Sequence, residues 1–468
     1  MDTKVTDELA KIVGKEFIST KDDVLLTYSS SASLAKEPVR PGAVVRPSNA
    51  TEIAEILRLA NQHKIPVTIR SGGTSLQGEV IPKPDGLVVE LMRLNEIKLF
   101  EDLQSVRVGA GVTFGELDKF LSKHGLWVPV SPESALACTV AGNVAVNGAG
   151  PGSTLYGSIG EMVIGLEIVL PNSQLIQTGT EANPNAPGPF LRYAFGPDIT
   201  GLFIGSLGSL GVITSVSLKV FKRMEHFDYN TYGFDSYETA EKFLMELKNN
   251  DVNAIFASLY EGSVLEFFMD MIGDEYGIPP MEWPERTVSM AIGRIRKDML
   301  ESDAKLAREI CERLGGTVFG IRELPLGEWE GRLWVFVRAC YAHGWHWRTL
   351  YHHQTPTNAH RSVEEITKVM DNYGFLGHTA GFMTGHASTN MYPHLYFDPV
   401  DPEDEEKIIT AHDELASTLY KTGAVPFKLA PFWKGLMEGT ENYMEFLTRL
   451  KNAIDPNNIM NKGVLGGI

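Results

Sequence analysis

Three glycine-rich segments between residues 70 and 214 constrain this 468-residue chain more than any other feature. The first, Arg70-Ser71-Gly72-Gly73-Thr74-Ser75-Leu76-Gln77-Gly78, follows directly on the β-branched run Pro66-Val67-Thr68-Ile69. Glycine lets backbone N–H groups approach a pyrophosphate, because no Cβ stands in the way and positive φ is tolerated. Alone, such a loop reads equally well as a surface turn. The second segment runs from Ser134 through Cys138-Thr139-Val140-Ala141-Gly142-Asn143 to Asn147-Gly148-Ala149-Gly150-Pro151-Gly152 and Tyr156-Gly157, and the third runs from Gly201 to Gly211-Val212-Ile213-Thr214. Three such segments in one stretch call for a ligand. None reads Gly-x-Gly-x-x-Gly opening a helix within a strand-helix-strand unit, so a nicotinamide Rossmann domain is not supported.

The rest of the chain sets bounds. The length favours two domains with a cleft between them. A composition of 43% hydrophobic and 22% charged residues, with a mean hydropathy of −0.09, supports sizeable cores rather than disorder. A formal net charge of −17 and a pI near 5.2, without a basic run, exclude nucleic acid as an expected partner. The three cysteines, Cys138, Cys311 and Cys340, are too scattered for a disulfide framework or a metal knuckle and read as core thiols of a reducing compartment. Met1 to Gly14 lacks an apolar targeting region and no long uncharged apolar run occurs, so a cytoplasmic chain without a membrane span is expected.

Periodicity predicts a strand at 43–45, a helix from about Asn49 to Gln62 with Glu52 completing a cap, and strands at 66–69, 87–91 and 105–108. A helix at 113–124 and a second sheet over 162–220 follow. Beyond Lys222 the glycine density falls, and helices at 237–249, 300–313 and 403–421 alternate with strands near 253–260 and 287–293.

The glycine segments, in their order and spacing, resemble the FAD-binding domain of the vanillyl-alcohol oxidase and para-cresol methylhydroxylase superfamily, which includes FAD-linked D-lactate dehydrogenases and the glycolate oxidase flavin subunit. The resemblance implies an α+β chain. It would have a two-subdomain FAD-binding domain (1–222), an α/β substrate or cap domain (223–425), and a C-terminal helical segment (426–468) packing back on the FAD domain. It implies FAD cradled at the pyrophosphate by Arg70, Ser71, Gly72, Gly73, Thr74, Ser75 and Gly78. Pro132, Cys138, Thr139, Gly142, Asn143, Gly148, Tyr156 and Gly157 would lie around the flavin and adenine, with the Gly211, Val212 and Ile213 backbone. The run from Leu450 to Gly463, with Asn461, resembles the segment that closes onto the flavin.

For substrate chemistry, nine of the twelve histidines crowd between 343 and 412: His343, His346, His352, His353, His360, His378, His386, His394 and His412. Imidazoles at short spacing suit zinc or iron. The lactate and glycolate enzymes carry His-x-Gly-Asp-Gly-Asn-x-His and a later Glu-His-Gly; here His386-Ala387-Ser388-Thr389-Asn390-Met391-Tyr392-Pro393-His394 departs from that pattern, and no metal is expected. Phe427-Lys428 stands where the phenol-oxidising members carry Tyr-Arg, so Lys428 is expected to hold an anion beside Phe427. His386 or His394 is a candidate proton acceptor, Arg348 a further substrate contact, and Tyr351 the candidate covalent flavin link, since Thr74 replaces the histidine anchor of the first glycine loop.

These residues lead to hydride transfer from a hydroxylated small molecule to FAD. A para-hydroxylated aromatic is the leading substrate and a D-2-hydroxy acid the alternative. A flavin electron-transfer subunit is the reading from another class. A cytochrome, iron-sulfur or flavoprotein electron acceptor and a homo-oligomeric state are the expected partners.

Overall fold

A computed structural model describes the chain apart from residues 32–37, 325–343, 345, 376–378 and 399; of residues 271, 272, 275 and 276 only the backbone is described. Cys340, His343 and His378 thus lie outside the described residues.

The first sheet has three parallel strands, Ala43–Val45, Leu87–Glu90 and Val67–Arg70, with Ile18–Ser19 antiparallel at the edge. Helix Ala50–His63 provides the crossover that parallel pairing requires. It starts where the sequence expects: the Asn49 side chain accepts the Glu52 N–H at 2.9 Å. Its buried face carries Ile53, Ile56, Leu57 and Ala60. The second sheet is antiparallel, in the order Ile97–Phe100, Ser105–Gly109, Val212–Lys219, Val163–Val169, Leu175–Gln177. The helix expected at 113–124 is α-helical over Phe114–Leu121, closed at its start by a Thr113–Glu116 capping box, and tightens to a 3₁₀ turn over Ser122–His124. Both sheets contribute to one core that includes Val45, Val89, Val106, Leu166 and Val216.

The third sheet has eight strands: Thr317–Val318, His226–Phe234, Arg286–Arg294, Ala254–Glu261, Thr379–Thr384, Ser388–Pro393, His352–Gln354 and Val425–Pro426. Helices alternate with its strands as expected from the sequence, yet every pairing in it is antiparallel. Strand Ala254–Glu261 is buried along its whole length because both faces of the sheet are covered. Helices Tyr237–Asn249, Lys297–Arg313 and Ala359–Asn372 contribute to the core on one face. An aromatic core of Phe256, Tyr260, Phe268, Phe382 and Tyr392 forms elsewhere in this part of the chain, joined by Leu76 of the first glycine loop. Helix Gly262–Tyr276, which supplies Phe268, is not among the helices expected from the sequence, although Glu266, Asp270 and Asp274 fall on one exposed face of it and Val264, Leu265 and Phe268 are buried.

The last strand leaves the third sheet at Pro426, and the chain returns through helix Glu441–Ile454 to the first sheet. There Val67 N–H donates to the Ile459 carbonyl at 2.7 Å and Asn461 N–H to the Val67 carbonyl at 2.8 Å. Lys451 and Asp455, both buried, form an ion pair at 2.5 Å. The ammonium also donates to the carbonyls of Ser209 (2.8 Å) and Met460 (3.0 Å), while the carboxylate accepts the N–H groups of Ile459 and Met460. Both charges are thereby hydrogen-bonded on several sides, the condition under which a buried ion pair is tolerated.

Two consequences are testable. Lys451→Met leaves Asp455 charged and unpaired and is expected to cost about 3–5 kcal/mol, read as a lower chemical-denaturation midpoint; an unchanged midpoint contradicts it. Burial also holds His352, His353 and His412 neutral, with pKa values lowered from 6.5 to about 4. The unfolded chain therefore binds more protons between those values, so this contribution to stability is full above about pH 6.5 and is lost as pH falls toward 4. The denaturation midpoint is expected to drop from about pH 7.5 to about pH 5, and less steeply in His412→Asn; equal slopes contradict this origin.

Candidate functional site

The glycine segments meet in space. The Ser71 and Thr139 hydroxyls lie 2.6 Å apart, and Thr139 also accepts the Gly142 N–H at 3.2 Å, capping the short helix Val140–Ala145. A Cβ on Gly72 would collide with the Ala137 carbonyl, and one on Gly208, whose φ is +69°, would meet Asn461 Nδ2 at 3.0 Å. Glycine is required at Gly72 by close backbone approach and at Gly208 by its left-handed φ. Asn461 joins the first and third segments: its Oδ1 accepts the Ile69 N–H at 3.1 Å and its Nδ2 donates to the Leu207 carbonyl at 2.6 Å.

These loops wall one end of a cleft of about 1350 Å³, its open mouth included. Of the residues singled out from sequence, Ser71, Gly72, Gly73, Thr74 and Ser75 line it from the first loop. Pro132, Cys138, Thr139, Gly142, Asn143 and Gly148 line it from the second, and Gly211, Ile213 and Asn461 close that end. The opposite wall comes from the eight-stranded sheet and the chain leaving it: Tyr351, Phe382, Asn390, Tyr392, Phe427 and Lys428.

Other expected site residues do not line the cleft. Arg70 points across the Tyr28 ring, 5.3 Å from its centroid, and Gly73 folds over the guanidinium. Gly78, at φ +85°, serves as a turn beyond the loop. Tyr156 packs on Trp127 and Phe221, Gly157 follows it at φ +79°, and the Val212 side chain is in the core. His386 is exposed on the turn between strands Thr379–Thr384 and Ser388–Pro393. His394 is buried between the stacked rings of Trp347 and Tyr396. Arg348 is buried beside His412 and Asp413, where desolvation lowers its pKa. Among the described residues the histidine crowding is thus one of sequence: His352 and His353 are on adjacent, opposite-facing strand positions, and His360 reaches Glu241 instead, at 3.3 Å. Among the described residues no three His, Cys, Asp or Glu side chains gather as a metal site.

The cleft also holds titratable groups that the sequence reading passed over. Glu79, 3% exposed, accepts a hydrogen bond from Ser75 and lies 3.6 Å from Lys428 Nζ. Its Oε1 has no hydrogen-bond partner, so Lys428 is held by charge and keeps its donors free to turn to a ligand. Glu133 lines the cleft from the Pro132-Glu133-Ser134 turn, and burial pushes its carboxyl up to about 7. Across from it the Tyr351 phenol is pushed up, first by burial and then by the Glu133 charge. Burial also raises the Cys138 thiol, opposed by Thr74, Lys428 and Ser134. No glycine or histidine pattern marks Glu79 or Glu133; their neighbours in sequence were the only signal.

The residues present fit a dinucleotide. Glycine backbone lines one end, aromatic rings enclose the other, and besides Glu79 Oε1 two buried polar atoms of lining residues lack partners, Nδ2 of Asn143 and Oδ1 of Asn390. A buried polar group left unpaired is costly, which suits these two atoms to ligand contacts.

Comparison with known proteins agrees. Residues 41–179 match the family described as "FAD binding domain". The chain is 32% identical over 241 residues to a D-lactate dehydrogenase of Archaeoglobus fulgidus, an alignment spanning 52% of each, so it matches about half of that relative's length. It is 25% identical over 484 aligned positions to glycolate oxidase subunit GlcD of Bacillus subtilis, covering 98% of this chain and 96% of that one. The structure of p-cresol methylhydroxylase with substrate bound superposes with a TM-score of 0.84 over 99% of this chain and 96% of that one, at 17% identity. No described helix is long and apolar enough to cross a membrane. The resemblance seen in the sequence is borne out: the chain carries an FAD-binding domain within the fold shared with p-cresol methylhydroxylase.

Proposed function

We propose that the chain is an FAD-dependent dehydrogenase that oxidises a small 2-hydroxy acid of the D-lactate or glycolate type. The observation that carries this reading is one shared cleft: glycine loops suited to a dinucleotide line it together with the Glu79 and Glu133 carboxyls, and the Lys428 cation and Tyr351 phenol line it from the chain of the eight-stranded sheet. The substrate that came first from the sequence, a para-hydroxylated aromatic, rested on Phe427-Lys428. It gives way because the relatives similar in sequence are named for lactate and glycolate, whereas the likeness to p-cresol methylhydroxylase, at 17% identity, is one of fold. Phe427 also offers no hydroxyl to a phenolate.

When bound, FAD supplies the hydride-accepting chemistry. The chain's own groups do the rest. Ser71 to Ser75 would hold the cofactor's pyrophosphate, Gly142, Asn143 and Gly148 would lie around its flavin and adenine, and Asn143 would donate to it. Lys428 receives the substrate carboxylate through the donors that Glu79 leaves free. Tyr351, Phe382, Tyr392 and Phe427 enclose the substrate and exclude water.

Anaerobic addition of D-lactate or glycolate to the FAD-loaded chain is expected to bleach the visible flavin absorbance, and 4-cresol or vanillyl alcohol to leave it; the reverse outcome overturns the reading. Lys428→Met should keep its FAD and raise KM about ten- to a hundredfold, the equivalent of about 1.5–3 kcal/mol for a charged hydrogen bond; an unchanged KM contradicts the carboxylate role. Gly72→Ala, whose Cβ meets the Ala137 carbonyl, should purify with little FAD, measured as flavin released per chain on denaturation. Full occupancy would place the cofactor elsewhere.

A further inference from the structure

None of the described histidines lines the cleft, so among the described residues a different group is needed to take the proton that a 2-hydroxy acid sheds as it becomes a 2-oxo acid. We infer that Glu133 is the catalytic proton acceptor of this site, a role that rests on the hydroxy-acid reading above.

The geometry singles it out among the cleft's described titratable groups. Glu79 accepts the Ser75 hydroxyl with one oxygen, and its other oxygen, without a hydrogen-bond partner, lies 3.6 Å from the Lys428 ammonium, which fits Glu79 to hold that cation. Lys428 brings an ammonium, which has donors and no acceptor. Cys138 is buried and its thiol is pushed up, which keeps it protonated. The Tyr351 phenol is pushed further up and stays a donor, as does any phenol near its ordinary value. Glu133 remains. It lines the cleft from the second glycine segment, lies near enough for its charge to act on the Tyr351 phenol, and shares the cavity with the Lys428 ammonium.

A base works best when its pKa lies near the working pH, and burial brings the Glu133 carboxyl to about 7. The step balances. The substrate hydroxyl proton passes to a Glu133 carboxylate oxygen as the carbon that bore it gives up hydride to the flavin. A 2-oxo acid and a protonated Glu133 remain, and the carboxyl returns its proton to water. The Tyr351 phenol stands opposite, placed to orient the hydroxyl as a hydrogen-bond donor rather than to accept its proton.

The test uses the FAD-loaded wild type, Glu133→Gln, Glu133→Asp and Tyr351→Phe, each checked for FAD content. The rate of anaerobic flavin reduction by D-lactate or glycolate is followed against pH, and oxalate binding is followed by titration calorimetry in two buffers of different ionisation enthalpy. In the wild type the reduction rate should rise with pH through an apparent pKa of about 7, because only the ionised carboxyl accepts a proton. Glu133→Gln should lose about 10²–10⁴-fold in that rate, lose the acid limb, keep its FAD, and lose the proton uptake that accompanies oxalate binding. Glu133→Asp should recover part of the rate. Reduction of Glu133→Gln at the wild-type rate with the acid limb intact overturns the inference, as does loss of that limb in Tyr351→Phe alone. Absence of wild-type reduction by any 2-hydroxy acid removes the hydroxy-acid reading and the inference with it, an outcome distinct from an active wild type with an equally active Glu133→Gln.

Discussion

The cleft depends on how the C-terminal segment is pinned to the first sheet. Asn461 bonds to Ile69 on one side and Leu207 on the other, so it sets the distance between two glycine loops that are far apart in sequence. Behind it the Lys451–Asp455 pair ties helix Glu441–Ile454 to the Ser209 and Met460 carbonyls. A charged pair in a core is not in itself a large source of stability, since desolvation offsets much of the attraction. Its contribution is geometric: these polar groups are satisfied together only when the segment sits in one register. The same segment begins at the edge of the eight-stranded sheet, where Val425 and Pro426 pair with His353 and His352. Lys428 and the glycine loops are therefore positioned by one continuous stretch of chain.

Much of this was legible in the sequence, for identifiable reasons. Glycine loops were visible because a close backbone approach, as at Gly72, or a left-handed φ, as at Gly208, disfavours a Cβ. The helix beginning after Asn49 was visible because its cap and buried stripe are local properties of consecutive residues. Lys428 was found through the resemblance and does line the cleft. Glu133 and Glu79 were not found, since their significance comes from Tyr351 and Lys428 on the opposite wall, and no local pattern encodes a partner brought in by tertiary folding. The histidine run misled for the converse reason. Strand alternation, a turn and an aromatic stack send His353, His386 and His394 to different environments despite their spacing.

The two walls of the cleft divide the chemistry. The glycine wall is backbone, with few side-chain charges, and suits a ligand that brings its own phosphates. The other wall is aromatic, with a cation restrained by charge rather than by hydrogen bonds, and it faces a carboxyl placed in a low-dielectric setting that lifts its pKa toward neutrality. Burial and a facing group together are the arrangement by which enzymes tune such groups.

The most direct measurement is a crystal structure of the FAD-loaded chain with oxalate bound. The expected result has the pyrophosphate on the Ser71–Ser75 loop, the flavin ring directed toward Tyr351, and oxalate between Lys428 and Glu133. A flavin ring turned away from Lys428 and Glu133, or oxalate held elsewhere, would contradict a cleft shared by cofactor and substrate.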